Sequence, residues 1–177
     1  LGITMCMRNY VGILDGVLDF TIRELIIGYV KRKQQLLTSS RHPEKMLEYK
    51  DLTFYGKLQY CSNELRFWLQ KTFHYWIFPK NFILPAFLDN HDMDRIMFQL
   101  NQDKKLVTLA VTELTKLSQP VIVYYGTEIG MTQSRSMWGV PYGDLMCRKL
   151  MKWSSLTPEE AALKNTVASE LKSRSHH

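Results

Sequence analysis

Seven consecutive residues, Asp89-Asn90-His91-Asp92-Met93-Asp94-Arg95, carry three carboxylates, an imidazole, an amide and a guanidinium. These are groups of the kind that perform acid–base and polar binding chemistry. They follow directly on the apolar run Phe82-Ile83-Leu84-Pro85-Ala86-Phe87-Leu88. An apolar run that ends in a knot of ionisable residues reads as a buried strand delivering side chains to a site. The plain alternative is a strand followed by a solvated turn. A second run, Val121-Ile122-Val123-Tyr124-Tyr125, suits a strand buried on both faces, and it also ends abruptly, in Gly126-Thr127-Glu128.

The elements that must position these groups can be read in chain order. A turn leads into a short strand around 16–20, within Val11-Gly12-Ile13-Leu14-Asp15-Gly16-Val17-Leu18-Asp19-Phe20. Thr21, with Glu24 three residues on, predicts a capping box, and Ile22, Leu25, Ile26, Tyr29 and Val30 share a helical face as far as about Leu37. Thr38-Ser39-Ser40-Arg41-His42-Pro43 breaks that helix. Residues 44–76 are aromatic-rich, with Leu58, Leu65, Trp68, Leu69 and Phe73 at helical spacing. A helix packed in a core is preferred there to a stacking platform for sugars or bases. A helix over 103–117 follows the second strand, with Leu106, Leu109, Ala110, Val111, Leu114 and Leu117 as its stripe. After the third strand, a long loop over about 129–153 precedes a helix with Thr157 as N-cap and Pro158 at its first position. Strands alternating with helices predict an α/β fold with a parallel sheet and its site at the strand C-termini. Three strands cannot close a barrel, and an open three-stranded sheet leaves edges exposed.

Composition narrows the function classes. The chain has 177 residues, 45% hydrophobic and 23% charged, which are globular values. Its formal charge of +6 is spread along the sequence, and the one dense cluster, Lys31-Arg32-Lys33, fits a solvated helix end, so nucleic-acid binding is disfavoured. Cys6, Cys61 and Cys147 are odd in number and widely spaced, against a disulfide framework or a zinc site. No apolar run is long enough for a membrane span. A cytoplasmic location is the favoured expectation. The ending Arg174-Ser175-His176-His177 reads as a vector remnant with part of a histidine tag and is left out of metal reasoning.

Four segments carry a resemblance to a known family. Phe87-Leu88-Asp89-Asn90-His91-Asp92-Met93-Asp94-Arg95 resembles the seventh-strand segment of the α-amylase family, glycoside hydrolase family 13. Pro120 to Gly130 resembles its eighth strand and exit, and Gly16-Val17-Leu18-Asp19-Phe20 is similar to its sixth-strand segment. Asp144, Arg148, Met151 and Trp153 match the Asp-x-x-x-Arg-x-x-Met-x-Trp pattern that follows the eighth strand.

The resemblance implies a partial (β/α)8 barrel over residues 1–173, from the sixth strand to the eighth helix, completed by association. It implies that Asp92 is the transition-state stabiliser of a retaining α-glucan hydrolase or transglycosylase, and that His91, Asp144 and Arg148 bind sugar hydroxyls. Asn90, Arg95 and Glu128 would support the site. Asp89 and Asp94 match no catalytic position and are expected to be solvated or structural. The family's nucleophile, in a Gly-x-Arg-x-Asp segment, and its Glu acid/base have no counterpart in this sequence, although the retaining reaction needs both, about 5 Å apart. This chain alone is therefore expected to be inactive. No cofactor is expected, and the calcium that many relatives hold in an inserted domain finds no ligands in this chain. The expected partners are a maltooligosaccharide or α-glucan and either a second copy or a complementary N-terminal part of a barrel. The alternative is an amylase-like interaction subunit without catalysis.

Overall fold

A computed structural model describes residues 2–38 and 47–174. They fall into two compact units, Leu1–Ile83 and Leu84–His177.

The first unit holds α1 (Gly2–Arg8), α2 (Phe20–Leu37) and α3 (Phe54–Trp76). α2 is capped by Asp19 rather than by Thr21: Asp19 Oδ1 accepts from the Ile22 amide at 2.9 Å. Thr21 instead lies with its hydroxyl 2.9 Å from that of Thr4. Asp19 Oδ2 also meets His74 Nε2 at 2.9 Å, so one buried carboxylate both starts α2 and ties it to α3. Because the cap comes so early, Phe20 is already helical and the strand expected over 16–20 is reduced to isolated bridge residues, Gly16 pairing in parallel with Ile83. A Cβ at Gly16 would lie 2.1 Å from the Ile83 carbonyl oxygen, so this approach requires glycine.

α2 buries Ile22, Ile26, Ile27, Tyr29 and Val30, close to expectation. α3 departs from it. Only Asn63, Phe67 and His74 are buried, with Phe67 stacked on Tyr29 at 4.4 Å between centroids. Leu58, Leu65, Trp68, Leu69 and Phe73, the stripe expected to face a core, are half exposed or more. The helix has two apolar faces, and the one bearing Phe67 packs on α2.

The second unit holds β1 (Ala86–Phe87), α4 (Ile96–Gln99), α5 (Lys104–Thr115), β2 (Val121–Ile122) and α6 (Pro158–Arg174). β1 and β2 are parallel, as expected, with Ala86 opposite Val121 and Phe87 opposite Ile122. Each spans two residues rather than the predicted seven and five, because neither has a further strand partner among the described residues. The unit is thus a mostly helical α/β piece. Asp103 caps α5 through the Lys105 and Leu106 amides. α6 starts where its sequence predicts: Thr157 Oγ1 accepts from the Glu160 amide at 3.2 Å and Glu160 Oε2 accepts from the Thr157 amide at 2.7 Å.

Arg174 is the last residue of α6 and donates to the Gln119 carbonyl. Residues 175–177, and the helix-breaking segment from Ser39 to Pro43, lie outside the described residues. Among the described residues no helix is long and apolar enough to cross a membrane.

Candidate functional site

The site residues gather at the end of β1. Phe87, Leu88 and Asp89 are buried, and the chain then emerges so that the His91 and Asp92 side chains are 60% and 65% exposed. Asn90 makes the turn: its Oδ1 accepts from the Asp92 amide at 2.8 Å, a local bond that aims Asp92 outward. Asp92 then gathers two partners. His91 Nε2 lies 3.2 Å from Oδ2, and Arg148 Nη2 donates to Oδ1 at 3.0 Å. Arg148 Nη1 reaches Asp144 Oδ2, also at 3.0 Å. One guanidinium therefore bridges the two carboxylates, and its Nε donates to the His91 carbonyl at 3.0 Å.

Asp144 and Arg148 sit on the 3₁₀ turn Gly143–Met146 and just beyond it. This turn needs glycine at 143, where a Cβ would lie 1.9 Å from the Met137 carbonyl oxygen. Arg95 holds the turn against the strand end. It is 1% exposed, its Nε donates to the Cys147 carbonyl at 2.9 Å and its Nη1 donates to the Tyr125 carbonyl. Its guanidinium carbon lies 4.2 Å from the Tyr124 ring centroid. Burial, and then a hydrogen bond with Tyr125, pushes the Tyr124 phenol up to about 12, so the ring remains a neutral face for that cation.

Asp89 and Asp94 are not solvated. Asp89 accepts from the Ile96 amide at 2.9 Å and from Thr127 Oγ1 at 2.6 Å. Asp94 accepts from Gln133 Nε2, Ser136 Oγ and the Met137 amide at 2.6–2.7 Å. Both carboxylates stitch the strand end to the loops after β2. Glu128 stands apart from the Asp92 cluster. It lines a cavity of about 320 Å³ with Val123, Lys164 and Val167, facing α6, and its Oε2 is buried without a hydrogen-bond partner among the described residues.

Sequence reasoning missed two residues that organise the site. Gln133 is buried, accepts from the Arg95 amide at 2.8 Å and donates to Asp94. Cys147 is buried, and its thiol donates to the carbonyls of His91 at 3.2 Å and Asp144 at 3.0 Å. Burial pushes that thiol up, which keeps its proton in place for these bonds. A lone Gln in a loop carries no pattern. Cys147 lies one residue before Arg148, and that adjacency was the available signal.

The arrangement offers two exposed carboxylates, a cation between them and an imidazole, all mounted on a buried frame. A carboxylate has about four acceptor positions. Asp92 uses two, which leaves room for two hydroxyl donors. Among the described residues no group of three or more His, Cys, Asp and Glu is placed to hold a metal ion. Arg148 offsets one of the pair's two negative charges.

Residues 41–176 match the model of the alpha amylase catalytic domain. The chain is 28% identical over 130 residues to Alpha-amylase 2 of Dictyoglomus thermophilum, a match covering 73% of this chain and 18% of that protein. It resembles the solved alpha-amylase from H. orenii with a TM-score of 0.62, at 17% identity over 98% of this chain and 34% of the other. AmyP, solved in complex with maltose, gives a TM-score of 0.64 at 15% identity over 93% and 33%. The cyclic alpha-maltosyl-(1→6)-maltose hydrolase of Arthrobacter globiformis gives 0.59 at 20% identity over 92% and 29%. The chain thus spans about a third or less of these relatives, and the structural likenesses speak to fold.

Proposed function

This chain belongs to the alpha-amylase catalytic-domain family, and from that premise we propose that it supplies the sugar-binding and transition-state-stabilising side of a retaining α-glucan-active site. The observation that carries the reading is the exposed Asp92, held between His91 and Arg148 at the end of β1. In this proposal the nucleophile and the acid/base come from outside the 177 residues, because no Gly-x-Arg-x-Asp segment occurs among them. The chain corresponds to the last three βα units of a barrel.

Each residue then has a physical task. Asp92 accepts hydroxyls of the sugar whose ring becomes an oxocarbenium ion, and its negative charge favours that cation over the neutral ground state. The interaction is weak in water and strengthens when sugar and the rest of the site exclude solvent. Arg148 fixes the carboxylate in advance, so little reorganisation is needed at the moment of reaction. His91 donates to a hydroxyl of the same sugar. Asp144 and Arg148 accept and donate further along the non-reducing side. Asn90 and Arg95 hold the geometry. Glu128 supports the site indirectly, by holding the exit of β2 against α6.

The test is an assay of glucose release from maltooligosaccharides. The chain alone is expected to release none, and activity is expected only when the remaining part of a barrel is supplied. Hydrolysis by the chain alone would show that carboxylates within it do the whole reaction and would overturn the proposal.

A further inference from the structure

A second candidate site lies in the first unit. A groove of about 470 Å³ between α2 and α3 is lined by Arg32, Gln35, Tyr55, Gln59, Ser62 and Arg66, among others, and, among the described residues, by no carboxylate. That volume is within the range of small-molecule sites. α2 and α3 together carry seven Lys and Arg against two Glu, which is +5 of the chain's formal +6.

Both glutamates are occupied. Glu24 pairs with Arg23, and Glu64 accepts from Lys33 at 2.9 Å and from Tyr29 at 2.7 Å. Among the other cations, Lys57 lies over the Tyr49 ring and Lys71 over that of Phe67. Lys31, Arg32 and Arg66 have no carboxylate partner among the described residues; the two arginines line the groove, and both also line a small adjoining cavity together with Glu24.

We infer that this groove binds a small phosphorylated polyol, such as a sugar phosphate. Two guanidinia present ten N–H donors and no acceptor, which suits the oxygens of one phosphate. The amides of Gln35 and Gln59 and the hydroxyl of Ser62 suit ligand hydroxyls, and the exposed Tyr55 ring can cover an apolar sugar face. An extended polyanion would need a longer row of unoccupied cations than Lys31, Arg32 and Arg66 provide. The inference is independent of the Asp92 site, whose residues belong to the other unit.

The test is a titration of the isotope-labelled chain with glucose 6-phosphate, inorganic phosphate and glucose, followed by amide chemical shifts. The expected result is a saturable shift of α2 and α3 amides around Arg32, Gln59 and Arg66. Glucose 6-phosphate should bind more tightly than phosphate, and glucose should leave these amides unmoved. Arg32→Gln and Arg66→Gln should each weaken binding by about tenfold or more, because each removes a charge-assisted pair, while the Arg32→Lys/Arg66→Lys double variant keeps part of the affinity. Both arginines are exposed, and circular dichroism of each variant is expected to match the unaltered chain. Maltose should not displace the phosphate. Three results would overturn the inference: no saturable shift in the groove, equal affinity for phosphate and glucose 6-phosphate, or unchanged binding in the Arg32→Gln/Arg66→Gln double variant.

Discussion

At the scale of single residues, three aspartates within six positions have opposite environments. Asp92 is exposed and its ion pair with Arg148 is solvated, so Asp92→Ala should change stability by no more than about 1 kcal/mol. Asp89 and Asp94 are buried acceptors of backbone and side-chain donors, and removing either leaves those donors unsatisfied. Asp89→Ala and Asp94→Ala should each cost about 2–4 kcal/mol, read by denaturant unfolding. The sequence showed the cluster and, through the family pattern, singled out Asp92. It could not show which aspartates turn inward, because their partners, Thr127, Gln133, Ser136 and Met137, lie about forty residues away. A second prediction concerns Glu64. Burial acts to raise its carboxyl, but hydrogen bonds from Lys33 and Tyr29 outweigh this and the net shift is downward. A lowered carboxyl contributes stability above its ordinary range of about 4.5, and loses it as pH falls through the folded value. The melting temperature of the unaltered chain should therefore fall more steeply than that of Glu64→Gln between about pH 5 and pH 3.

At the scale of elements, helix starts were legible where the cap is local. Thr157, Pro158 and Glu160 announce α6, and Thr157→Ala should cost about 1 kcal/mol while Thr157→Ser restores most of it, measured by thermal unfolding. The start of α2 was misread by two residues, since Asp19 and Thr21 are both competent caps and a distant His74 favours Asp19. The facing of α3 was also misread. Helical periodicity reveals an apolar stripe but cannot tell which of two stripes has a partner, and the side bearing Phe67 meets Tyr29. Strand positions were legible from the apolar runs, but strand lengths were not, because a ladder extends only as far as its neighbours do.

At the scale of the whole molecule, the chain spans about a third of the solved relatives quoted above. On α3, Leu65, Trp68, Phe73 and Trp76 are each more than half exposed, and such contiguous apolar patches drive association. A second copy of the chain is the expected occupant in isolation. Light scattering should show concentration-dependent association that Trp68→Glu/Phe73→Glu reduces, while circular dichroism is unchanged. A strictly monomeric chain at all concentrations would refute this. The claim on which everything else depends is that Asp92, His91, Arg148 and Asp144 form a sugar-binding cluster, and its most direct test is a maltotriose titration followed by amide shifts. The account predicts saturable shifts confined to residues around 90–95 and 143–149, lost in Asp92→Ala and in Arg148→Ala with the fold retained. Shifts elsewhere only, or shifts that persist in both variants, would contradict it.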